Sequence, residues 1–227
     1  MKILSIGEIE FDIDLDIVYV KESNLSQYIS NEYDYIIING GDGAIRRVLN
    51  EFYRVDKYPK VIINSIGSFN VVAKLHRVKS VISILQNIKD NKSLQTKKQN
   101  LYRLNNELFL FSAGNMGDLS HIFLSETLRF GILKKGMIKY IISLILLIPT
   151  HLLLTPFMLL SKRKFFIFTP ISIIRKFGSF YGKVEDEIEI EIDLDNSYNF
   201  IELDGDVVLI KESILKIEKV AEVEVVH

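Results

Sequence analysis

Ile36-Ile37-Ile38-Asn39-Gly40-Gly41-Asp42-Gly43-Ala44-Ile45 is a β-branched apolar run that enters a glycine-rich turn and continues into an amphipathic stretch. Three such residues in a row suit a strand covered on both faces of a parallel sheet. The glycines let the backbone bring N–H groups close to an anion, and a helix starting there adds its partial positive charge. Asp42 repels a phosphate unless a hard cation such as Mg²⁺ bridges the two. The stretch therefore reads either as a phosphate cradle or as a plain Gly-Gly-Asp-Gly turn between strand and helix.

After the loop, Ile45, Val48, Leu49 and Phe52 fall on one helical stripe, with Arg46 and Arg47 on the remainder as a solvated face or as cations near a ligand. Before it, Ile3 to Ile6 and Ile17 to Val20 read as strands, and Asn24 to Asn31 as a helix introduced by Ser23. Val61-Ile62-Ile63 after Pro59 is a further parallel strand, whose C-terminal end delivers Asn64 to Asn70, where open α/β sheets bind ligands. Ser68 and Asn70 offer polar groups there, or cap the helix that follows. A helix is expected from Ser80 to about Asp90, and the polar stretch to Asn100 reads as a linker.

The second half is strand-rich. Leu101 to Leu104 and Leu108 to Phe111 form a hairpin about Asn105-Asn106, and Phe165 to Phe168, Glu187 to Ile192 and Tyr198 to Leu203 are strands. Asp204-Gly205 is a turn before Val207 to Ile210, and Ile214 to Glu218 and Val220 to Val226 are two more strands. The most apolar stretch, Tyr140 to Leu160, has lysines at 134, 135 and 139 before it and Lys162-Arg163-Lys164 after it. It is long enough to span a bilayer, yet Pro149 and Pro156 interrupt it. A buried helix from about Lys135 to Leu147 and a strand near Leu152 to Leu160 is the favoured reading, with membrane-surface contact left open.

With 227 residues, a net charge of -1 and no cysteine, the chain can bury a sizeable core. It shows no wholesale nucleic-acid signature, and disulfides, thiolate nucleophiles and cysteine zinc sites are excluded. The four histidines show no metal-ligand spacing. The opening residues lack a signal-peptide pattern, so a cytoplasmic location is expected, with a peripheral membrane position left open.

Four segments resemble one family. Gly40-Gly41-Asp42-Gly43 is similar to the GGDG(T) signature of the diacylglycerol kinase and sphingosine kinase catalytic domain and of NAD kinases. Gly67-Ser68-Phe69-Asn70-Val71-Val72-Ala73-Lys74 resembles the lipid-kinase pattern GTxNDFAR, Phe111 to Asp118 a small-residue stretch of bacterial members, and Leu203-Asp204-Gly205-Asp206 the late DGE motif. The four follow the family's order. Ala44 stands for the usual Thr, Arg47 for an acidic residue and Val71 for Asp, while Ser5-Ile6-Gly7-Glu8 replaces the NPxSG turn.

The resemblance implies an α/β N-terminal lobe with a parallel sheet, residues 1–97, and a β-sandwich C-terminal lobe, residues 98–227, whose last strand returns to the first. It implies an ATP- and Mg²⁺-dependent phosphotransferase acting on a hydroxyl of diacylglycerol or a related lipid. Gly40, Gly41 and Gly43 would bind phosphates, Asp42 would hold Mg²⁺, Ser68 and Asn70 would orient the nucleotide, and Asp206 would be the general base. An NAD kinase-like enzyme and a non-catalytic descendant that binds nucleotide or lipid are the alternatives. A homodimer is left open.

Overall fold

The computed structural model describes residues 1–30, 32–52, 55, 58–66, 70–115, 141–142, 145–149, 152–153, 165–169, 173–176, 179–182, 190–195 and 197–227. Contacts divide the chain into two compact units, Met1–Leu110 with Lys219–His227, and Phe111–Glu218.

In the first unit the strands are β1 (Ile3–Ile6), β2 (Ile17–Val20), β3 (Tyr35–Gly40), β4 (Lys60–Ser65), β5 (Thr96–Leu104) and β6 (Glu107–Phe109). Its helices are α1 (Asp42–Glu51), α2 (Val71–His76) and α3 (Val81–Lys89). The second unit has β7 (Ser112–Gly114), β8 (Phe165–Phe168), β9 (Ile173–Lys176), β10 (Ser179–Gly182), β11 (Ile190–Asp193), β12 (Asn199–Leu203) and β13 (Asp206–Ile210). The long strand β14 (Ile214–Val226) starts in the second unit and ends in the first.

The first sheet runs β2-β1-β3-β4-β14-β5-β6. β2, β1, β3 and β4 are parallel to one another, and β14 joins β4 in parallel with Val225 level with Val61. The continuous apolar runs follow from burial on both faces. Ile3, Ile37, Ile62 and Val226 pack against Val81, Ile84, Leu85 and Ile88 of α3. The alternate residues Leu4, Ile36, Ile38 and Ile63 are equally buried, as is the α1 stripe Ile45, Val48, Leu49 and Phe52. The helix expected from Ser80 is α3, which Ser80 caps, its hydroxyl accepting the Ser83 N–H at 3.3 Å.

The second unit holds an antiparallel sheet in the order β10-β9-β8-β7-β12-β13. Separately, β11 pairs antiparallel with the start of β14. The α/β first lobe and β-rich second lobe agree with the sequence reading.

Several elements differ in detail. Glu22–Gln27 is a 3₁₀ turn with only Leu25 buried, where a helix to Asn31 was expected; one buried apolar side chain gives a longer helix nothing to pack. The expected linker to Asn100 is already strand from Thr96. The β5–β6 hairpin belongs to the first unit, held to α1 by the Arg46–Glu107 ion pair at 3.0 Å. The two final strands are one, which runs unbroken through Lys219. Leu152 and Leu153 are helical, where a strand was expected, and no helix among the described residues is long and apolar enough to cross a membrane. Ser68, Met116 to Asp118, Lys162 to Lys164 and Glu187 to Glu189 lie outside the described residues.

Candidate functional site

The C-terminal ends of β1, β3 and β4 lie side by side, and their polar side chains are joined there. Asn39 Nδ2 donates to Ser5 Oγ at 3.1 Å and to the Ile6 carbonyl at 2.9 Å, while Asn64 Nδ2 donates to Asn39 Oδ1 at 2.7 Å. Asn39 and Asn64 are register partners in adjacent parallel strands. Gly7, at φ +117, closes the turn after β1; a Cβ there would lie 2.8 Å from that of Asn39. Ser5, Gly7, Asn39 and Asn64 escaped the sequence reading as a group. The signal was present, since Ile36-Ile37-Ile38-Asn39 and Val61-Ile62-Ile63-Asn64 each end an apolar strand on Asn at the same offset.

Directly beyond, the glycine loop is tighter than a long cradle. Gly40 is the last residue of β3, Gly41 caps α1, and Asp42 and Gly43 already lie within the helix. None of the three glycines has positive φ. Gly40 is instead demanded by contact, because a Cβ on it would sit 2.5 Å from the Ala44 Cβ. The opening N–H groups of α1 have no acceptor four residues earlier, which is the physical basis of anion binding at such an end.

Asp42 turns its carboxylate to the next helix. Its Oδ2 accepts the Val71 N–H at 2.7 Å and its Oδ1 the Val72 N–H at 3.0 Å, so α1 caps α2 from outside. Asn70 occupies the N-cap position of α2, but its side chain makes no capping bond. Asp42 is only 5 % exposed. Burial pushes its carboxyl above the usual value, against the two N–H bonds and the Lys74 charge, which pull it down. Each oxygen keeps lone-pair capacity beyond its N–H bond, so Asp42 can still meet a cation or its water. Among the described residues no group of three or more His, Cys, Asp or Glu side chains could hold a metal by itself.

The arginines are held by carboxylates. Arg46 is buried on Glu107, and Arg47 Nε meets Glu22 Oε1 at 2.6 Å on the surface. At the far end of α2, His76 Nε2 lies 2.8 Å from Gln99 Oε1. Gln99 Nε2 donates to the Asn100 and Leu110 carbonyls, so its oxygen faces the imidazole and His76 Nε2 is the donor.

In the second unit, Asp204 and Gly205 both have positive φ, 51° and 91°, and close the two-residue hairpin between β12 and β13. Buried Asp204 accepts the Phe111 and Ser112 N–H groups at 2.9 Å each through Oδ1. Glu202 Oε1 takes the Ser112 hydroxyl at 3.1 Å and the Gly205 N–H. Asp206, half-buried, opens β13. The small-residue stretch serves packing: a Cβ on Gly114 would lie 2.9 Å from the Phe165 carbonyl, and Asn115 Oδ1 accepts the Phe165 N–H at 2.9 Å.

The chain is similar to known proteins in part of its sequence and in its fold. Residues 10–101 match the profile of the diacylglycerol kinase catalytic domain family, which contains the glycine loop and α2. Three solved structures from Bacillus anthracis str. Sterne share the fold, two of them assigned as diacylglycerol kinases and the third named one outright. Their TM-scores are 0.57, 0.62 and 0.55 at 13 %, 14 % and 15 % identity, covering 100 % of this chain and 97 %, 97 % and 96 % of theirs. No curated protein matches the chain. The chain thus shares the fold of these three structures, and the stretch around Asp42 is similar to the diacylglycerol kinase catalytic domain.

Proposed function

We propose that the protein is a lipid kinase-like phosphotransferase that transfers the γ-phosphate of ATP to a hydroxyl of diacylglycerol or a related lipid. The observation that carries this reading is the Asp42 clamp, which draws the N-termini of α1 and α2 to one carboxylate at the C-terminal end of the parallel sheet. The start of α1 offers a polyanion N–H donors and a partial positive charge, while the Val71 and Val72 N–H groups of α2 are taken by Asp42. The family match over residues 10–101 supports the same reading.

In this proposal the backbone of Gly40, Gly41 and Gly43 receives the phosphates, and Ser68 and Asn70 orient the nucleotide. Asp42 is the residue that would hold Mg²⁺, by the lone pairs its two N–H bonds leave, and the ion would supply charge neutralisation at the transferring phosphate. Asp206 would take the proton of the acceptor hydroxyl. The test is incubation of purified protein with Mg-ATP labelled at the γ-phosphate and, in separate reactions, diacylglycerol, a sphingoid base and NAD. Label in phosphatidic acid that Asp206→Asn abolishes is the expected result. Label in NADP, or none in any acceptor, overturns it.

A second reading, a nucleotide- or lipid-binding protein without turnover, is favoured by one observation. Ala44 lies against Gly40 where the family places a hydroxyl, removing a phosphate donor. It predicts thermal stabilisation by Mg-ATP that Asp206→Asn leaves unchanged.

A further inference from the structure

At the C-terminal end of the sheet, Asn64 has a carboxamide whose direction is set by its neighbours and half of which is unused. Asn39 gives its two Nδ2 protons to the Ser5 Oγ at 3.1 Å and the Ile6 carbonyl at 2.9 Å. A carbonyl only accepts, so the Asn39 amide cannot be turned over, and its Oδ1 faces Asn64. The same logic passes one strand on. Asn64 meets that oxygen with its Nδ2 at 2.7 Å, so its own Oδ1 and second Nδ2 proton are left for another partner. Among the described residues neither has one, and the side chain is half-buried rather than enclosed.

Two further observations concern what could use them. Asn64 is level with Asn39, and Ser65 is level with Gly40, so this amide stands one strand away from the start of the glycine loop. Ile66 gives its N–H to the Gly40 carbonyl at 3.4 Å and yet is 56 % exposed. An aliphatic side chain in water near a directed donor–acceptor pair suits a flat heteroaromatic ring, which needs a surface for its face and a partner for its edge. We infer, resting on the nucleotide-binding reading above, that Asn64 selects the base of the nucleotide. The adenine amine donates to Asn64 Oδ1, the adjacent ring nitrogen accepts from Nδ2, and Ile66 lies against the ring. Hypoxanthine carries a carbonyl in place of the amine, which would meet Oδ1 as acceptor against acceptor. Asn64 cannot reverse to suit it, because its oxygen would then oppose that of Asn39. Asn39 is thus a positioning residue for this contact.

Calorimetric titration of the full-length chain with Mg-ATP and Mg-ITP, for the wild type and Asn64→Ala, tests the inference. The two nucleotides differ only in the amine or carbonyl of the purine and the proton that the carbonyl places on the adjacent nitrogen. The wild type should bind Mg-ATP at least about tenfold more tightly, and Asn64→Ala should lose most of that ratio through weaker Mg-ATP binding. A merely structural role for Asn64 would weaken both nucleotides together and keep the ratio. Should Asn64→Ala fail to fold, the wild type alone decides: the triphosphate of purine riboside, which lacks the amine, should bind as weakly as Mg-ITP. Equal affinity of the wild type for Mg-ATP and Mg-ITP, or for Mg-ATP and the purine riboside triphosphate, overturns the inference and leaves the kinase proposal standing. So does a wild-type ratio in folded Asn64→Ala. The expected ratio without phosphoryl transfer to any acceptor would overturn the kinase proposal and leave this inference, and absence of Mg-ATP binding overturns both.

Discussion

Asp42 takes the Val71 N–H into its carboxylate at 2.7 Å, joining the first residue of α1 to the first residue of α2. With Val72 at 3.0 Å on the other oxygen, this one side chain replaces the cap that Asn70 does not supply. Asp42→Ala leaves two N–H groups without their acceptor and is expected to cost about 2 kcal/mol in urea unfolding. Asp42→Asn should cost a comparable amount although it removes the buried charge, since its amide NH₂ opposes one of the two donors. If Asp42→Asn is as stable as the wild type, the clamp is not what orders the loop.

Gly40 and Ala44 form a second contact that can be measured as a pair. A methyl group on residue 40 meets the Ala44 Cβ at 2.5 Å, so Gly40→Ala should destabilise by about 1–3 kcal/mol through overpacking. Ala44→Gly should cost up to about 1 kcal/mol from helix propensity alone. In the double variant the new methyl has room, and a double-mutant cycle should show a favourable coupling near 1 kcal/mol. Strict additivity would mean that the loop relaxes around either change.

In the late motif, neighbouring acids have separate duties. Asp204 is buried and carries two backbone N–H groups, so Asp204→Ala should destabilise by about 2 kcal/mol in urea unfolding. Asp206 is half-buried at the head of β13, and Asp206→Asn should leave the unfolding midpoint within about 0.5 kcal/mol while abolishing any phosphoryl transfer. Loss of stability from both changes would make the whole Asp-Gly-Asp run a hairpin device.

Glu107 and Glu22 separate a buried ion pair from an exposed one on the same helix. Arg46 is 6 % exposed at its side chain and Arg47 is 47 % exposed. Glu107→Ala should therefore cost more than Glu22→Ala, which should stay under about 1 kcal/mol in chemical denaturation. Equal small effects would show that water reaches Arg46.

The legible parts of this molecule were those written in local pattern. Ile36 to Ile38 and Val61 to Ile63 announce strands covered on both faces, the stripe from Ile45 to Phe52 announces α1, and Ser80 announces the start of α3. What could not be read was pairing at a distance. Nothing in the local sequence of Asp42 says that its carboxylate also accepts the backbone N–H groups of residues 71 and 72. Asn39 and Asn64 become a pair only once the register of β3 against β4 is known. Asp204 is a turn residue in any sequence, and its grip on Phe111 and Ser112 spans more than ninety residues. The continuation of the strand through Lys219 likewise could not be read, since a lone polar residue there suggests a break between two strands.

His76 makes the first unit sensitive to acid. It is 4 % exposed, donates through Nε2 to Gln99, and its Nδ1 is buried without a hydrogen-bond partner. Burial holds the imidazole below its ordinary value of 6.5, with Lys97 and His227 nearby adding to the effect and the Gln99 bond opposing it. Below about pH 6.5 the unfolded chain takes up a proton at this position while the folded chain does not, so the unfolded state binds more protons and stability falls as the pH drops. Once the pH is below the folded value, both states are protonated and the loss from this group levels off. Urea unfolding at pH 7.5 and pH 5.5 should therefore show a lower midpoint at the acidic pH. His76→Gln should be less stable at pH 7.5 yet lose less between the two pH values. A full wild-type slope retained in that variant would assign the acid sensitivity to another group and leave His76 as a packing residue at the end of α2.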